Sequence, residues 1–200
     1  MDKKTQLLEL KKQMEEDKSL PLREGAIQLV FGEGNSDAPI YFLGEAPGYW
    51  EDQKGRPFVG QAGKLLDELI QSIGFIREDV YISNVVRFRP PENRDPEPQE
   101  IAAFAPYVDK EITIINPKVI VTLGRFSMGK FLPGVKISQV HGKIKTAYWK
   151  GKEVTVIPMY HPAAALRASA IMTQLKEDFK VIPQILDKAS QPKAEQLSLV

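Results

Sequence analysis

Three acidic side chains fall within one glycine-rich stretch, residues 44–63, and they are the first candidates for chemistry. Glu45, Glu51 and Asp52 lie in the segment G-E-A-P-G-Y-W-E-D-Q-K-G-R-P-F-V-G-Q-A-G. Carboxylates at this spacing can serve acid–base catalysis, bind a metal or remain solvated, and spacing alone leaves that choice open. For Asp52 we favour a solvated or helix-capping role.

A histidine and an asparagine elsewhere in the chain are further candidates. His161 is one of only two histidines and opens a proline-bounded loop, and Asn84 lies near the carboxyl end of an earlier apolar run. Alone, a loop histidine is best explained by a hydrogen bond to a backbone carbonyl. Here both residues and the 44–63 stretch follow apolar runs that predict strands, and open α/β sheets bind ligands at the carboxyl ends of their strands. This convergence predicts an active site there.

Aromatic and basic residues supply candidate contacts for a larger ligand. Phe58 is either a core plug or a stacking surface, and in isolation the plug is the better explanation. Three arginines in a proline-rich loop, Arg87, Arg89 and Arg94, suit a phosphate backbone. A second basic group with two aromatic residues lies on or beside a predicted hairpin, namely Lys143, Lys145, Lys150, Lys152, Tyr148 and Trp149. An ordinary solvated surface explains this group as well as nucleic-acid binding does.

Alternating strands and helices must position these residues. Apolar runs predict strands at residues 28–31, 40–43, 80–86 and 118–124, and three segments, 135–140, 143–149 and 153–157, predict a hairpin leading into a further core strand. Helices are predicted at 5–16, from 64 to a cap at Gly74, 99–115 with a kink at Pro106, 125–131, and 171–186 with a kink at Pro183. This order predicts an α/β fold with a parallel sheet.

Length and composition restrict the class of protein. The 200 residues suit a single domain, which we place at residues 1–188 with the helix 1–16 capping the core, followed by a flexible tail at 189–200. With 27 basic and 26 acidic residues the net charge is +1, so a phosphate-binding surface must be a local patch. The absence of cysteine excludes disulfides and thiolate ligands. No apolar run is long enough to span a membrane and no targeting signal is visible, so we expect a cytoplasmic protein. Separately, we expect a monomer.

Four motifs together give the chain a family resemblance. They are G-E-A-P-G-x-x-E-D-x-x-G-x-P-F-V-G-x-A-G-x-L-L at 44–66, N-V-V-x-x-R-P-P-x-N-R-D-P-E-P at 84–98, Y-H-P-A-A-x-L-R at 160–167 and V-F-G-E-G-N at 30–35. In this order, and across residues 5–188, the chain resembles the family-4 uracil-DNA glycosylases. The resemblance implies a three-layer α/β/α sandwich around a four-stranded parallel sheet.

The resemblance also implies an activity, hydrolysis of the N-glycosidic bond of a deoxyuridine flipped out of DNA, with no metal in the chemistry. Glu45 would position or activate water and His161 would face uracil O2. The substrate-binding residues would be Gly44 and Ala46 lining the pocket, Glu51 on the C5 side where thymine bears a methyl group, Phe58 stacked on uracil, and Asn84 on its polar edge. The residues implied at the DNA surface are Arg87, Arg89, Arg94, Leu166 as a wedge, and Arg167.

The chain departs from this family at its iron–sulfur ligands. The family typically holds a [4Fe–4S] cluster through four cysteines, and alignment of the flanking motifs puts Asp17, Leu20, Phe88 and Phe104 at those positions. Phenylalanine and leucine cannot ligate iron. We therefore expect no cluster and no other cofactor, with apolar packing fixing the arginine loop instead.

Two alternatives stay open beside uracil excision from DNA. One is a weakly active or inactive nucleic-acid-binding relic of the family, and the retention of Glu45, Phe58, Asn84 and His161 argues against it. The other is an enzyme for another deaminated base or for free nucleosides. The basic loop and the Leu166 wedge are superfluous for a small-molecule substrate.

Overall fold

The computed structural model describes residues 1–190, with side chains described to residue 186. The predicted tail begins inside the last helix, and its remainder, residues 191–200, lies outside the described residues. The elements within the described part are α1 Lys3–Glu16, β1 Glu33–Gly34, β2 Ile40–Gly44, α2 Tyr49–Lys54, α3 Gln61–Ser72, β3 Tyr81–Asn84, α4 Pro98–Ile115, β4 Val119–Leu123, α5 Arg125–Gly129, α6 Ile137–Val140, β5 Lys145–Trp149, β6 Lys152–Met159, α7 Pro162–Ala165, α8 Ser169–Phe179 and α9 Val181–Ser190.

The six strands form one mixed sheet in the order β1-β3-β2-β4-β6-β5. The four central strands, β3, β2, β4 and β6, are parallel, which confirms the predicted four-stranded parallel core. Strands β1 and β5 add antiparallel edges that the family resemblance did not imply. Lys150 and Gly151 both have positive φ, 48° and 81°, as a tight two-residue hairpin requires, and they join β5 to β6.

Helices cover both faces of the sheet and give the α/β/α sandwich. Successive side chains of β2 point to opposite faces, so Tyr41 and Leu43 join one buried cluster while Ile40 and Phe42 join the other. Helices α1 and α4 pack on the first face, and α3 and α8 pack on the second. Because the central strands β2 and β4 are buried on both sides, they are apolar at nearly every position rather than alternating.

Two predicted strands are wrong. Residues 28–31 run beside the segment after β3 without forming a strand, and there the Val30 amide donates to the Arg87 carbonyl. Strand β1 follows them and is only two residues long. Residues 135–140 contain the short helix α6 instead of a strand. Both segments are apolar and too short for periodicity to separate strand from other structure.

The predicted closing helix is two helices. The chain breaks at Lys180, between α8 and α9, rather than kinking at Pro183. Pro183 lies in the first turn of α9, where a helix tolerates proline because the amides there have no partner within the helix. None of the described helices is both long and apolar enough to cross a membrane.

Candidate active site

A cavity of about 360 Å³ opens at the carboxyl ends of the parallel strands. Residues at or just beyond the ends of β2, β3 and β6 reach it, as expected for an open α/β sheet. Its lining brings together most of the residues singled out in the sequence, namely Glu45, Ala46, Glu51, Phe58, Asn84, Arg94, His161 and Arg167. The predicted convergence at this edge is therefore present in the fold.

Gly44, the last residue of β2, lies behind the cavity wall. It is paired in register with Asn84 of β3. A Cβ atom at position 44 would lie 2.4 Å from Asn84 Oδ1 and 2.5 Å from Phe58 Cε2, well inside van der Waals contact. Glycine is thus required for Asn84 and Phe58 to reach the same point in the cavity.

Asn84 lines the cavity and carries a buried acceptor that has no partner among the described residues. Its side chain is only 1% exposed, and Oδ1 has no hydrogen-bond partner within the described structure. An unpaired buried carbonyl costs about 1–3 kcal/mol, so such groups are rare in stable folds unless a ligand or water completes them. This oxygen is suited to accept a hydrogen bond from a bound molecule.

Phe58 forms an aromatic wall that is held in an unusual backbone conformation. Its φ is 50°, uncommon for a residue with a large side chain, and its ring stacks on His161 with centroids 5.6 Å apart. Arg77 supports this turn by donating to the carbonyls of Pro57 and Phe58 and by pairing with Asp67. Arg77 was missed in the sequence because it lies in a linker between α3 and β3, where no motif marks it.

His161 caps α7 and is held in one tautomer. Its Nδ1 accepts the Ala163 amide at 3.1 Å, which leaves the proton of the neutral ring on Nε2. Burial lowers the pKa of His161 to about 4; Glu51 opposes the shift, and Arg167 adds to it. At neutral pH His161 is therefore an uncharged imidazole whose Nε2–H group can donate a hydrogen bond.

Glu45 is a half-buried carboxyl group with no hydrogen-bond partner among the described residues. Burial and, to a smaller extent, the negative charge of Asp95 raise the pKa of Glu45 to about 7, although Arg125 partly opposes the change. Asp95 also lines the cavity and forms an ion pair with Arg125. Glu45 therefore changes charge near neutral pH, as suits a group that exchanges a proton with water.

The other two acidic residues of the stretch organise the backbone. The Glu51 carboxylate accepts the amides of Gly48, Val59 and Gly60 at 3.1, 2.8 and 2.9 Å, which ties the start of α2 to the turn after Phe58. Asp52 is 1% exposed and accepts the Ile27 amide at 2.9 Å. The solvated or capping role favoured for Asp52 is therefore wrong, since it anchors a distant segment instead.

Arg87 is not available to DNA, which corrects its prediction as a DNA-binding residue. Its side chain is fully buried, pairs with Glu111 of α4 at 2.6 Å and donates to Ser83. Tyr41 and Tyr81 also donate to the Glu111 carboxylate. The residue lies in a proline-rich basic loop, but the chain turns inward under α4 at this point, so its charge is neutralised inside the protein.

The other predicted DNA contacts lie at the surface around the cavity. Arg89 is partly exposed, Leu166 is 48% exposed, and Arg167 is exposed on the cavity rim. Arg94 is also on the rim, where Glu100 accepts two hydrogen bonds from its guanidinium. The turn of the basic hairpin, residues 149–152, precedes the long strand β6 and so lies at the opposite end of the parallel strands from His161.

The four positions aligned with the family's cluster ligands form a packed corner that does not fit the cluster. Leu20, Phe88 and Phe104 are buried in one hydrophobic cluster, with the two rings 6.1 Å apart. Asp17 accepts the Tyr107 hydroxyl at 2.6 Å. Iron–sulfur clusters are held chiefly by thiolates, and this donor set offers one carboxylate already engaged. Within residues 1–190 no group of three or more His, Cys, Asp or Glu is arranged to hold a metal.

Comparison with known proteins identifies the class to which this fold and cavity belong. The model of the uracil DNA glycosylase superfamily matches residues 31–182. The chain belongs to this superfamily.

Within the superfamily the similarity is to type-4 enzymes. The type-4 uracil-DNA glycosylase of Sulfurisphaera tokodaii is 51% identical over 164 residues, which are 78% of this chain and 74% of that enzyme. The type-4 enzyme of Archaeoglobus fulgidus is 48% identical over 164 residues, 80% of this chain and 82% of the relative. A DNA polymerase of Bacillus phage SP01 is 31% identical over 157 residues, 78% of this chain but 17% of the polymerase.

Proposed function

We propose that this protein is a uracil-DNA glycosylase, a repair enzyme that hydrolyses the N-glycosidic bond of deoxyuridine in DNA and leaves an abasic site. Its place in the superfamily and its identity to type-4 enzymes over most of their length support this activity. The single observation in the site that carries the proposal is the unpaired, buried Asn84 Oδ1 beside the Phe58 ring.

The Asn84 amide is the group that we propose reads the base. Uracil presents an N3–H donor beside an O4 acceptor, so Asn84 Oδ1 accepts from N3–H while its amide NH₂ donates to O4. Cytosine presents an acceptor and a donor in the reverse order. The Phe58 ring stacks on the base. When cytosine enters the pocket, the Asn84 amide loses its hydrogen-bond partners, so the pocket selects uracil.

The proposed reaction separates the charge that develops as the glycosidic bond breaks. The electron pair of the N1–C1′ bond passes to uracil, and His161 Nε2–H stabilises the negative charge at O2. The sugar gains oxocarbenium character, and ionised Glu45 opposes that charge and positions the water that attacks C1′. The water loses a proton to Glu45, and the released uracil anion takes a proton from solvent, so the products balance.

Glu51 is the residue that we propose excludes thymine. Its carboxylate is clamped by three backbone amides and lines the pocket. A group held in this way cannot move aside to admit the C5 methyl of thymine. Arg89, Arg94, Arg167 and Leu166 are proposed to contact the DNA around the flipped nucleotide, the leucine filling the vacated space in the base stack.

We further propose that the enzyme works without an iron–sulfur cluster. The packing of Phe88 on Phe104, the hydrogen bond of Tyr107 to Asp17 and the buried Arg87–Glu111 pair support this, because they fix the segment after Asn84 from beneath. The same proposal takes residues 1–188 as one catalytic unit that acts as a cytoplasmic monomer. Sedimentation of the purified protein tests the monomer, and iron analysis tests the cluster.

Base selectivity tests the proposed function. Asn84→Asp should lose most uracil excision, at least tenfold in kcat/KM, because the carboxylate repels uracil O4 instead of donating to it. Asn93→Asp is the matched control, since Asn93 lines the rim and undergoes the same change of charge. Equal losses in both variants would indicate a general charge effect, and an unchanged preference for uracil in Asn84→Asp would contradict base reading by Asn84.

A further inference from the structure

Two exposed aromatic side chains stand beside the active-site cavity. Tyr49 and Trp50 are 48% and 56% exposed, and they form the start of α2 between Gly48 and Glu51, both of which line the cavity. Within the described part of the chain, the only other aromatic side chain that is as open to solvent is Tyr148. Exposed aromatic side chains at the rim of a cavity are candidates for binding part of the substrate.

The Tyr49 and Trp50 rings pack against neighbouring groups although both are exposed. The two rings meet edge to face, with centroids 5.2 Å apart and planes at 82°. The Arg89 guanidinium lies 5.3 Å from the centre of the Tyr49 ring. Trp50 Cδ1 is 3.4 Å from the position that a Cβ atom on Gly60 would occupy, and Glu51 ties the Gly60 amide to the same helix. The indole therefore packs beside Gly60, next to the cavity, with more than half of its surface free.

We propose that Trp50 is a stacking platform for the nucleobase next to the flipped deoxyuridine, and that the enzyme consequently prefers uracil in single-stranded DNA. The inference rests on the proposed excision of uracil and adds the form of DNA that is its substrate. In a single strand the neighbouring base is free to swing onto the indole. In a duplex it remains paired and stacked, so its faces are not available.

The charges around the platform match a single nucleic-acid strand. Arg89 lies against Tyr49, and Arg167 is exposed on the cavity rim. Positive groups interleaved with aromatic rings are the usual arrangement for binding unpaired nucleotides, in which phosphates follow the cations and bases stack on the rings. A protein partner docking on Trp50 is the competing explanation, and it predicts no dependence on the form of the DNA.

The test measures kcat/KM on single-stranded and duplex oligonucleotides that each carry one deoxyuridine. Trp50→Ala should lose about tenfold on the single strand and less than twofold on the duplex, since stacking on one base is worth about that much. Trp50→Tyr should retain most activity because it keeps a ring. Tyr148→Ala is the matched control and should leave both rates unchanged, since Tyr148 pairs with Glu153 near the amino end of β6, away from the cavity.

A change in the DNA gives a second, independent readout. A tetrahydrofuran residue in place of the base on one side of the deoxyuridine should slow the wild type about as much as Trp50→Ala does, and should slow that variant no further. Equal losses on single strand and duplex for Trp50→Ala, or no effect of tetrahydrofuran on either side, would overturn the platform.

Fluorescence separates failure of the platform from failure of the proposed function. The protein has two tryptophans, and Trp149 is only 8% exposed, so quenching by bound DNA reports chiefly on Trp50. The single strand should quench wild-type fluorescence, and the tetrahydrofuran strand should quench it less. If no uracil is released but this pattern holds, excision fails and the platform stands. Absence of quenching by a bound single strand would overturn the platform, whether or not uracil is released.

Discussion

Substitution of one glycine should disable the pocket without unfolding the protein. In Gly44→Ala the new Cβ would lie 2.4 Å from Asn84 Oδ1 and 2.5 Å from Phe58 Cε2, whereas ordinary contact begins at 3.4 Å. The Asn84 amide and the Phe58 ring must therefore each move by about 1 Å. These are the two groups that we propose hold uracil, so the methyl group displaces both from their productive positions.

A displacement of about 1 Å in groups that position a substrate costs about 100-fold in rate. We expect kcat/KM of Gly44→Ala for release of uracil from a single-stranded oligonucleotide to fall by about that factor. Overpacking should also cost about 1–3 kcal/mol of unfolding free energy, measured by chemical denaturation. Gly129→Ala is the matched control, because nothing lies within 4 Å of a Cβ there and its activity should be unchanged.

A Gly44→Ala variant that stays folded and keeps kcat/KM within about threefold of the wild type would contradict this role of Gly44. That result would mean that Asn84 and Phe58 can move by about 1 Å without affecting uracil excision, so their exact positions beside Gly44 would not matter for catalysis. If activity and cooperative unfolding are both lost, a crystal structure of the variant determined at low temperature would show whether the pocket groups have moved or the whole fold has loosened. An unmoved Asn84 and Phe58 in that structure would refute the argument.

Two further predictions concern charged groups. First, kcat/KM should rise as pH increases through about 7, because Glu45 positions water only when ionised, and Asp95→Asn should move the midpoint to lower pH. A flat profile would contradict this role. Second, Arg87→Met should cost about 3–5 kcal/mol of unfolding free energy, since it leaves Glu111 buried without its cation. The exposed-pair control Lys180→Met should cost under about 1 kcal/mol, and similar losses would contradict the assignment.

The sequence was informative about the fold wherever long periodic or apolar runs specify an element. Strands β2, β3 and β4 and helices α1, α3 and α4 were predicted near their observed bounds. The edge strand β1 could not be predicted, because two residues, Glu33 and Gly34, carry no pattern and are fixed by pairing with β3. The break at Lys180 could not be predicted either, because both adjoining helices are apolar on one side and the proline at 183 predicts a kink at its own position instead.

The active site was predictable in its convergence but not in its internal contacts. The position of Asn84, His161 and Glu45 at the same sheet edge follows from the parallel direction of their strands, and the structure places them around one cavity. Burial of Arg87 and Asp52 could not be predicted, because their partners lie 24 and 25 residues away in the sequence. Long-range ion pairs of this kind are set by packing, which local composition does not encode.

Single-turnover release of uracil decides whether this protein is a glycosylase that works without iron. The purified protein, shown by metal analysis to contain no iron, is incubated with a labelled single strand carrying one deoxyuridine, and alkali then cleaves any abasic site. Wild type should give strand scission, and His161→Ala should be slowed about 100-fold or more because the donor at O2 is lost. Retarded DNA without scission by the wild type would contradict the account and favour a binding relic of the family.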